Sequence, residues 1–322
     1  MIDRLFVWSC IVMTFFSACQ QEVNEMNEVD GLRMSIAASI KGQTESAASR
    51  YTGSDPKTVN FAEDDAIGIF VNDDPVVKWT YDGESWDAGR IVYWPSKNTD
   101  CNFYAFYPYD DELSYNSYES VPMPSLLEQT GEIASISQCD FMVSSVTQRY
   151  ASSDVVCFNE DNAFEHVSSL VQLTIKGDGD LSFSTLTKIS ITGKDIATST
   201  TYSFVTNKVT LSPDEDSDEL SSEISVEMEG EDKTFYFIVN PKVASTGTVK
   251  LTIEYETGEE TYIAELDGFS GNAFEQGYRQ SFTISVKDGK LTVSGSSITP
   301  WIDGEPMDDI VIGGKLNQSA ES

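Results

Sequence analysis

Between residues 32 and 41 the chain alternates strictly. Leu32, Met34, Ile36, Ala38 and Ile40 fall on one side, and Arg33, Ser35, Ala37, Ser39 and Lys41 on the other. A period of two is the mark of a strand with one buried face. A single strand can neither bury that face nor pair its backbone alone, so this one must join a sheet made by later chain. A small, polar run follows and ends at Arg50, where a protease could reach the backbone.

Short apolar or alternating runs recur to the end of the chain. The first half predicts strands over 67–71, 90–94, 101–109 and 138–143, and a hairpin between Trp79 and Trp86 that turns at Asp82-Gly83. The run 101–109 is the most aromatic, with Cys101, Phe103, Ala105 and Tyr107 on one face and Asn102, Tyr104 and Phe106 on the other. The second half predicts strands over 170–175, 189–191, 202–205, 208–211, 223–228, 234–239, 248–255, 261–266, 280–286 and 290–293. Gly and Asp turns separate them, and no convincing amphipathic helix interrupts the series. Regular short strands of this kind predict an all-β fold built as sandwiches. The length accommodates about two ordinary domains. We place one β-sandwich at 32–163, a second at 164–306 and a tail at 307–322.

Ahead of the first strand, Arg4 precedes an apolar run that ends in Ser17-Ala18-Cys19. The run is shorter than the roughly 20 apolar residues of a spanning helix and fits a secretory signal over 1–18. The small-small-Cys ending resembles a bacterial lipobox, which makes Cys19 the first mature residue and the site of lipidation. The alternative is an ordinary signal peptide that contains a cysteine. Residues 19–31 are acidic and polar and read as a flexible tether.

The acidity extends throughout the chain, where 20 Lys+Arg against 53 Asp+Glu leave a net charge of −33. Such a surface repels phosphate backbones and excludes nucleic acid as a partner. Of the cysteines, Cys10 leaves with the signal and Cys19 is committed to lipid. Cys101, Cys139 and Cys157 have no metal-binding spacing. They are expected as three buried thiols, with one disulfide and a free thiol as the alternative.

Candidate chemistry is sparse. His166 is the only histidine, so a Ser-His-Asp site must use it, yet its place before a buried run reads as structural. Asp214, Asp216 and Asp218 mimic the first ligands of a calcium loop. Glu219 stands where that loop needs Gly, however, and Ser225 where it needs a bidentate Glu. No dinucleotide, P-loop, zincin or nucleophile-elbow motif occurs. The expectation is a protein that is not an enzyme and uses no metal or cofactor. Tyr115 and Tyr118, in a loop, are the candidates for ligand contact.

An ordered set of motifs carries a family resemblance. Phe61-Ala-Glu-Asp-Asp-Ala-Ile-Gly-Ile-Phe70, Tyr93-Trp-Pro95 and Asn102-Phe-Tyr-Ala-Phe-Tyr-Pro-Tyr109 resemble successive signatures of the fimbrillin family of Bacteroidia. Asp140-Phe-Met142, Phe164-Glu-His166, Phe274-Glu-Gln-Gly-Tyr278 and Ile298-Thr-Pro-Trp301 continue the match. Asp64 departs from it, at a place where the family usually has Gly. The resemblance implies a secreted lipoprotein of two tandem transthyretin-like β-sandwich domains that assembles into, anchors or tips a surface pilus. It also implies cleavage after an Arg that follows the first strand, here Arg50, with Lys41 as second choice. On that reading Leu32, Met34, Ile36, Ala38 and Ile40 fill a groove until released. Partners would be other pilus subunits by strand addition, the outer membrane through the lipid anchor, and a host protein or glycan. A glycan-binding outer-membrane lipoprotein is the alternative function, since it shares the anchor and the tether.

Overall fold

A computed structural model of the protein describes residues 32–41, 60–197, 199–211 and 219–301. Cys19, Arg50, the tether, residues 214–218 and the tail 307–322 lie outside them. Strands dominate. The first half holds β1 (Ser35–Ala38), β2 (Ala66–Val71), β3 (Val77–Tyr81), β4 (Trp86–Asp87), β5 (Cys101–Tyr107), β6 (Val121–Pro122), β7 (Met142–Gln148), β8 (Val155–Phe158) and β9 (Glu165–His166). The next strands are β10 (Ser169–Ile175), β11 (Thr185–Thr192), β12 (Thr200–Ser203), β13 (Lys208–Leu211) and β14 (Glu219–Glu227). The last are β15 (Lys233–Val239), β16 (Lys250–Thr257), β17 (Glu260–Asp267), β18 (Tyr278–Lys287) and β19 (Lys290–Pro300). Among the described residues a one-turn helix, α1 (Ile133–Ile136), and four short 3-10 turns interrupt the strands.

A six-stranded antiparallel sheet runs in the order β4-β3-β2-β5-β7-β9, and both of its faces are covered. On one face Ile67, Ile69, Phe103 and Ala105 pack with Met34, Ile36, Val156 and Phe158, so the parallel pair β1–β8 forms the opposing layer. On the other face Phe70, Phe106 and Phe141 meet Val121, Tyr202 and Phe204 from the sheet β13-β12-β6. Gly68 permits this second packing. It stands opposite Phe106 in the β2–β5 register, and a Cβ there would lie 2.3 Å from the Phe106 ring.

Two more sheets, β15-β10-β18-β19 and β14-β11-β16-β17, share a third core that includes Leu173, Ile189, Phe237, Ile253 and Phe282. Facing layers with apolar inner residues make the protein an all-β sandwich fold. Chain order does not partition the cores cleanly. Leu126, Ile136 and Cys139 join the third core, while Tyr202 and Phe204 pack back onto the six-stranded sheet. The free edge of β15 is closed by Gln129, whose buried amide accepts from Ile238 N at 2.6 Å and donates to Ile238 O at 2.8 Å. A side chain satisfied at both ends thereby occupies backbone groups that an unpaired edge would expose.

Several expected elements shift for identifiable reasons. The run 90–94 is no strand, because it pairs only with the chain's first segment and ends at Pro95. Met34 N donates to Val92 O and Trp94 N to Leu32 O. The aromatic strand stops at Tyr107, since Pro108 offers no N–H. Residues 138–141 leave α1 instead of starting a strand, and pairing begins at Met142. β19 continues past Val293 to Pro300, although Ser294, Gly295, Ser296 and Ser297 carry no apolar alternation. Its register is imposed by β18. Cys101 and Cys139 are buried free thiols, but Cys157 is only half-buried.

Candidate functional site

The first strand sits in a seat with two edges. Met34, Ile36 and Ile40 are 3%, 8% and 1% exposed, Leu32 and Ala38 are half-buried, and Arg33, Ser35 and Lys41 face outward. The alternation along the chain thus maps onto a buried and a solvated side. On one edge β1 runs parallel to β8, from Ser35 opposite Val155 to Ala38 opposite Phe158. Ser39 N donates to Phe158 O at 3.1 Å, Lys41 N to Phe164 O at 2.9 Å, and Phe164 N to Ser39 O at 2.9 Å. On the other edge the Val92 and Trp94 bonds measure 2.8 and 2.7 Å, and Arg33 bridges Tyr93.

Aromatic rings floor this seat. Trp94 meets Phe103 edge-on at 5.0 Å, and Phe61 meets Phe164 at 5.4 Å and Trp86 at 4.9 Å in the same manner. Such edge-to-face pairs add roughly 0.5–1.5 kcal/mol each beyond the area they bury. The Trp94 indole donates to Asp154 O at 3.1 Å, which ties the 92–94 edge to the loop before β8. Lys41, the last described residue of the segment, is ion-paired with Glu165 across a half-exposed surface. Cys19 and Arg50, the expected lipidation and cleavage residues, lie outside the described residues.

His166 is buried beside Asp140, with Nδ1 2.8 Å from Oδ1. Two members of a Ser-His-Asp constellation are therefore adjacent, which the sequence left open. No serine hydroxyl among the described residues bonds to this histidine; Trp301 covers its ring instead, at 4.1 Å. The pair is built as a packed junction between the end of the six-stranded sheet and the end of β19. Among the described residues no group of three or more His, Cys, Asp or Glu is placed to hold a metal ion.

The loop tyrosines divide. Tyr115 is core: its hydroxyl accepts from Asp110 N at 3.0 Å, and its ring packs on Phe106 at 4.6 Å. Burial pushes its pKa up to about 12. Tyr118 is half-buried and stacks on Tyr104 at 4.4 Å, while its hydroxyl donates to Asp73 at 3.1 Å. That hydrogen bond raises its pKa. Local loop signals gave no hint that the ring of Tyr115 would turn inward.

Asp64 explains the one departure from the expected motif. It lies in the left-handed region, with φ 71, where a glycine carries no steric cost. Asp is among the few other residues that tolerate this conformation.

Comparison with known proteins agrees with this geometry. No curated protein matches the chain. Among solved structures, a candidate cell adhesion protein from Bacteroides uniformis is 18% identical with a TM-score of 0.57, over 84% of this chain and 99% of that one. A candidate cell adhesion protein from Bacteroides ovatus is 17% identical with a TM-score of 0.55, over 85% and 99%. At such identity the likeness establishes the fold alone. The family comparison reaches further, for a fimbrillin-like profile matches residues 49–301, well over half of the sequence, and the chain belongs to the fimbrillin-like family.

Proposed function

We propose that this chain is a fimbrial subunit that joins its neighbours by strand addition once its own first strand has been released. Family membership supports a fimbrial, adhesive role at the cell surface. The finer reading rests on one observation: residues 32–41 are buried along one face, pair with 92–94 through Leu32 and Met34, and pair with β8 and Phe164 through the remainder. Burying Met34, Ile36 and Ile40 contributes on the order of 1.5–3 kcal/mol each, and each backbone bond about 0.5–1.5 kcal/mol. A sandwich stripped of the segment would lose much of the roughly 5–15 kcal/mol that stabilises a typical domain. It would expose an apolar trough with Val92 O, Trp94 N, Phe158 O and the backbone of Phe164 unpaired. A strand of the same alternation from another chain restores those contacts.

Cleavage after Arg50 frees the segment; Lys41, held by Phe164 O and Glu165, is the second choice, and the bridge to Tyr93 shields Arg33. Lipid on Cys19 holds the precursor at the outer membrane. The tail 307–322, with Ile310 and Ile312 two residues apart, is the candidate donor strand. We also read 32–163 and 164–306 as tandem sandwich domains. Limited trypsinolysis of the folded precursor, followed by amino-terminal sequencing and electron microscopy, tests the scheme. A new terminus at Tyr51 with fibres or oligomers is expected, and Arg50→Ala should abolish both. Protection of Arg50 in the wild type, or unchanged assembly of Arg50→Ala, overturns it.

A further inference from the structure

A cavity of about 340 Å³ opens where β7, β9 and β12 meet the loop that carries Gln276. Its rim is polar: Asp161, Asn162, Glu165, Asn207 and Gln276 are all exposed there. The side chains of Asp161, Asn162 and Gln276 make no hydrogen bond with any described residue, although each lines the opening. Asn207 accepts from the Tyr202 hydroxyl at 3.3 Å, which leaves its amide N–H groups available. Buried Tyr202 and Phe204 also line the cavity and give it an apolar side.

The charge of this rim narrows the ligand. Two carboxylates, with no Lys or Arg among the described residues that line the cavity, repel phosphates, sulfates and acidic sugars. Glu165 is already paired with Lys41, so a cationic peptide would have to displace an existing partner. What remains are amides that donate and accept, one carboxylate that accepts, and an apolar wall. That set matches a molecule with many hydroxyls and a C–H face. Its volume lies within the range of small-ligand sites, and it opens where two sheets meet.

We propose that this cavity binds the neutral saccharide end of a surface glycan. The reading deepens the adhesive role of the protein, on which it rests, and does not depend on strand addition. The amides of Asn162 and Gln276 supply donors and acceptors for the hydroxyls, and Asp161 supplies an acceptor.

The test is titration of the purified full-length protein with mannotriose, maltotriose and N-acetyllactosamine by calorimetry, with sialyllactose and trilysine as charged counterparts. At least one neutral sugar should bind with a Kd of about 1 mM or tighter. Asn162→Ala and Gln276→Ala should each weaken it about 5- to 10-fold, as loss of one hydrogen bond does. Both side chains are exposed, so urea midpoints should stay unchanged. Binding of trilysine alone, binding of none of the neutral sugars, or wild-type affinity in the double variant overturns the proposal. Fibre formation by the double variant, read by electron microscopy, separates failure of this site from failure of the assembly scheme.

Discussion

Trp301 lies flat on the imidazole of His166, with ring centroids 4.1 Å apart and planes 9° from parallel. His166 in turn holds Asp140, and all three side chains are buried. Trp301 N donates to Gly277 O at 2.9 Å, and Gly277 N to Ser168 O at 3.0 Å. The stack therefore fastens the end of β19 to the point where the chain passes from β9 to β10. We expect Trp301→Ala to cost about 3–5 kcal/mol through lost burial. His166→Ala should also destabilise, because it empties the buried space beneath the Trp301 ring and removes a buried hydrogen bond to Asp140. Urea unfolding of both single variants and the double variant should show coupling above roughly 0.5 kcal/mol. Strict additivity would mean that the stack itself contributes nothing.

Asp64 offers a stabilising change. Its backbone N–H bonds to Tyr81 O at 2.9 Å while its φ stays positive. Gly removes a left-handed penalty of about 1–2 kcal/mol but adds roughly 0.5–1 kcal/mol of unfolded-state entropy. A small rise in Tm is therefore expected for Asp64→Gly by thermal unfolding. A clear fall would show that the carboxylate contributes more than the backbone strain costs.

Gly68→Ala should act in the opposite direction. The new methyl meets the Phe106 ring at 2.3 Å, and Phe106 is enclosed by Phe70, Tyr115 and Phe141. Overpacking of this kind costs about 1–3 kcal/mol. Adding Phe106→Leu should recover part of the loss. If Gly68→Ala alone leaves the Tm unchanged, the ring has room to move.

Alkaline pH should weaken the fold. Burial, the largest cause in each case, pushes Tyr115, Tyr202 and Cys139 up to about 12. In the unfolded chain such groups release their protons near about 8.5–10. Across that window the folded protein binds more protons than the unfolded one, so stability is full below it and falls as pH rises toward about 12. Urea midpoints at pH 8 and pH 10.5 should differ in that sense, with the lower value at pH 10.5. In the native protein Cys157, half-buried, should react with thiol reagents before Cys101 and Cys139. Faster labelling of Cys139 would contradict its burial.

Much of this architecture was legible in the chain because its signals are local. Period-two alternation marked Met34, Ile36 and Ile40 as buried, and it separated the two faces of β5. Asp82-Gly83 set the β3–β4 hairpin, with Gly83 at positive φ. Neighbouring residues suffice for such features, since turn geometry and side-chain direction depend on a few dihedrals. Partners are another matter. Nothing near β1 names Val92 and Phe158 as its edges, nothing near β10 names β18 as a parallel neighbour, and nothing near Cys139 sends it to the third core. The inward turn of Tyr115, the stacking of Trp301 on His166 and the cavity beside Gln276 likewise join residues remote in the chain. Those choices follow from filling three cores at once without voids, a condition that only the assembled layers impose.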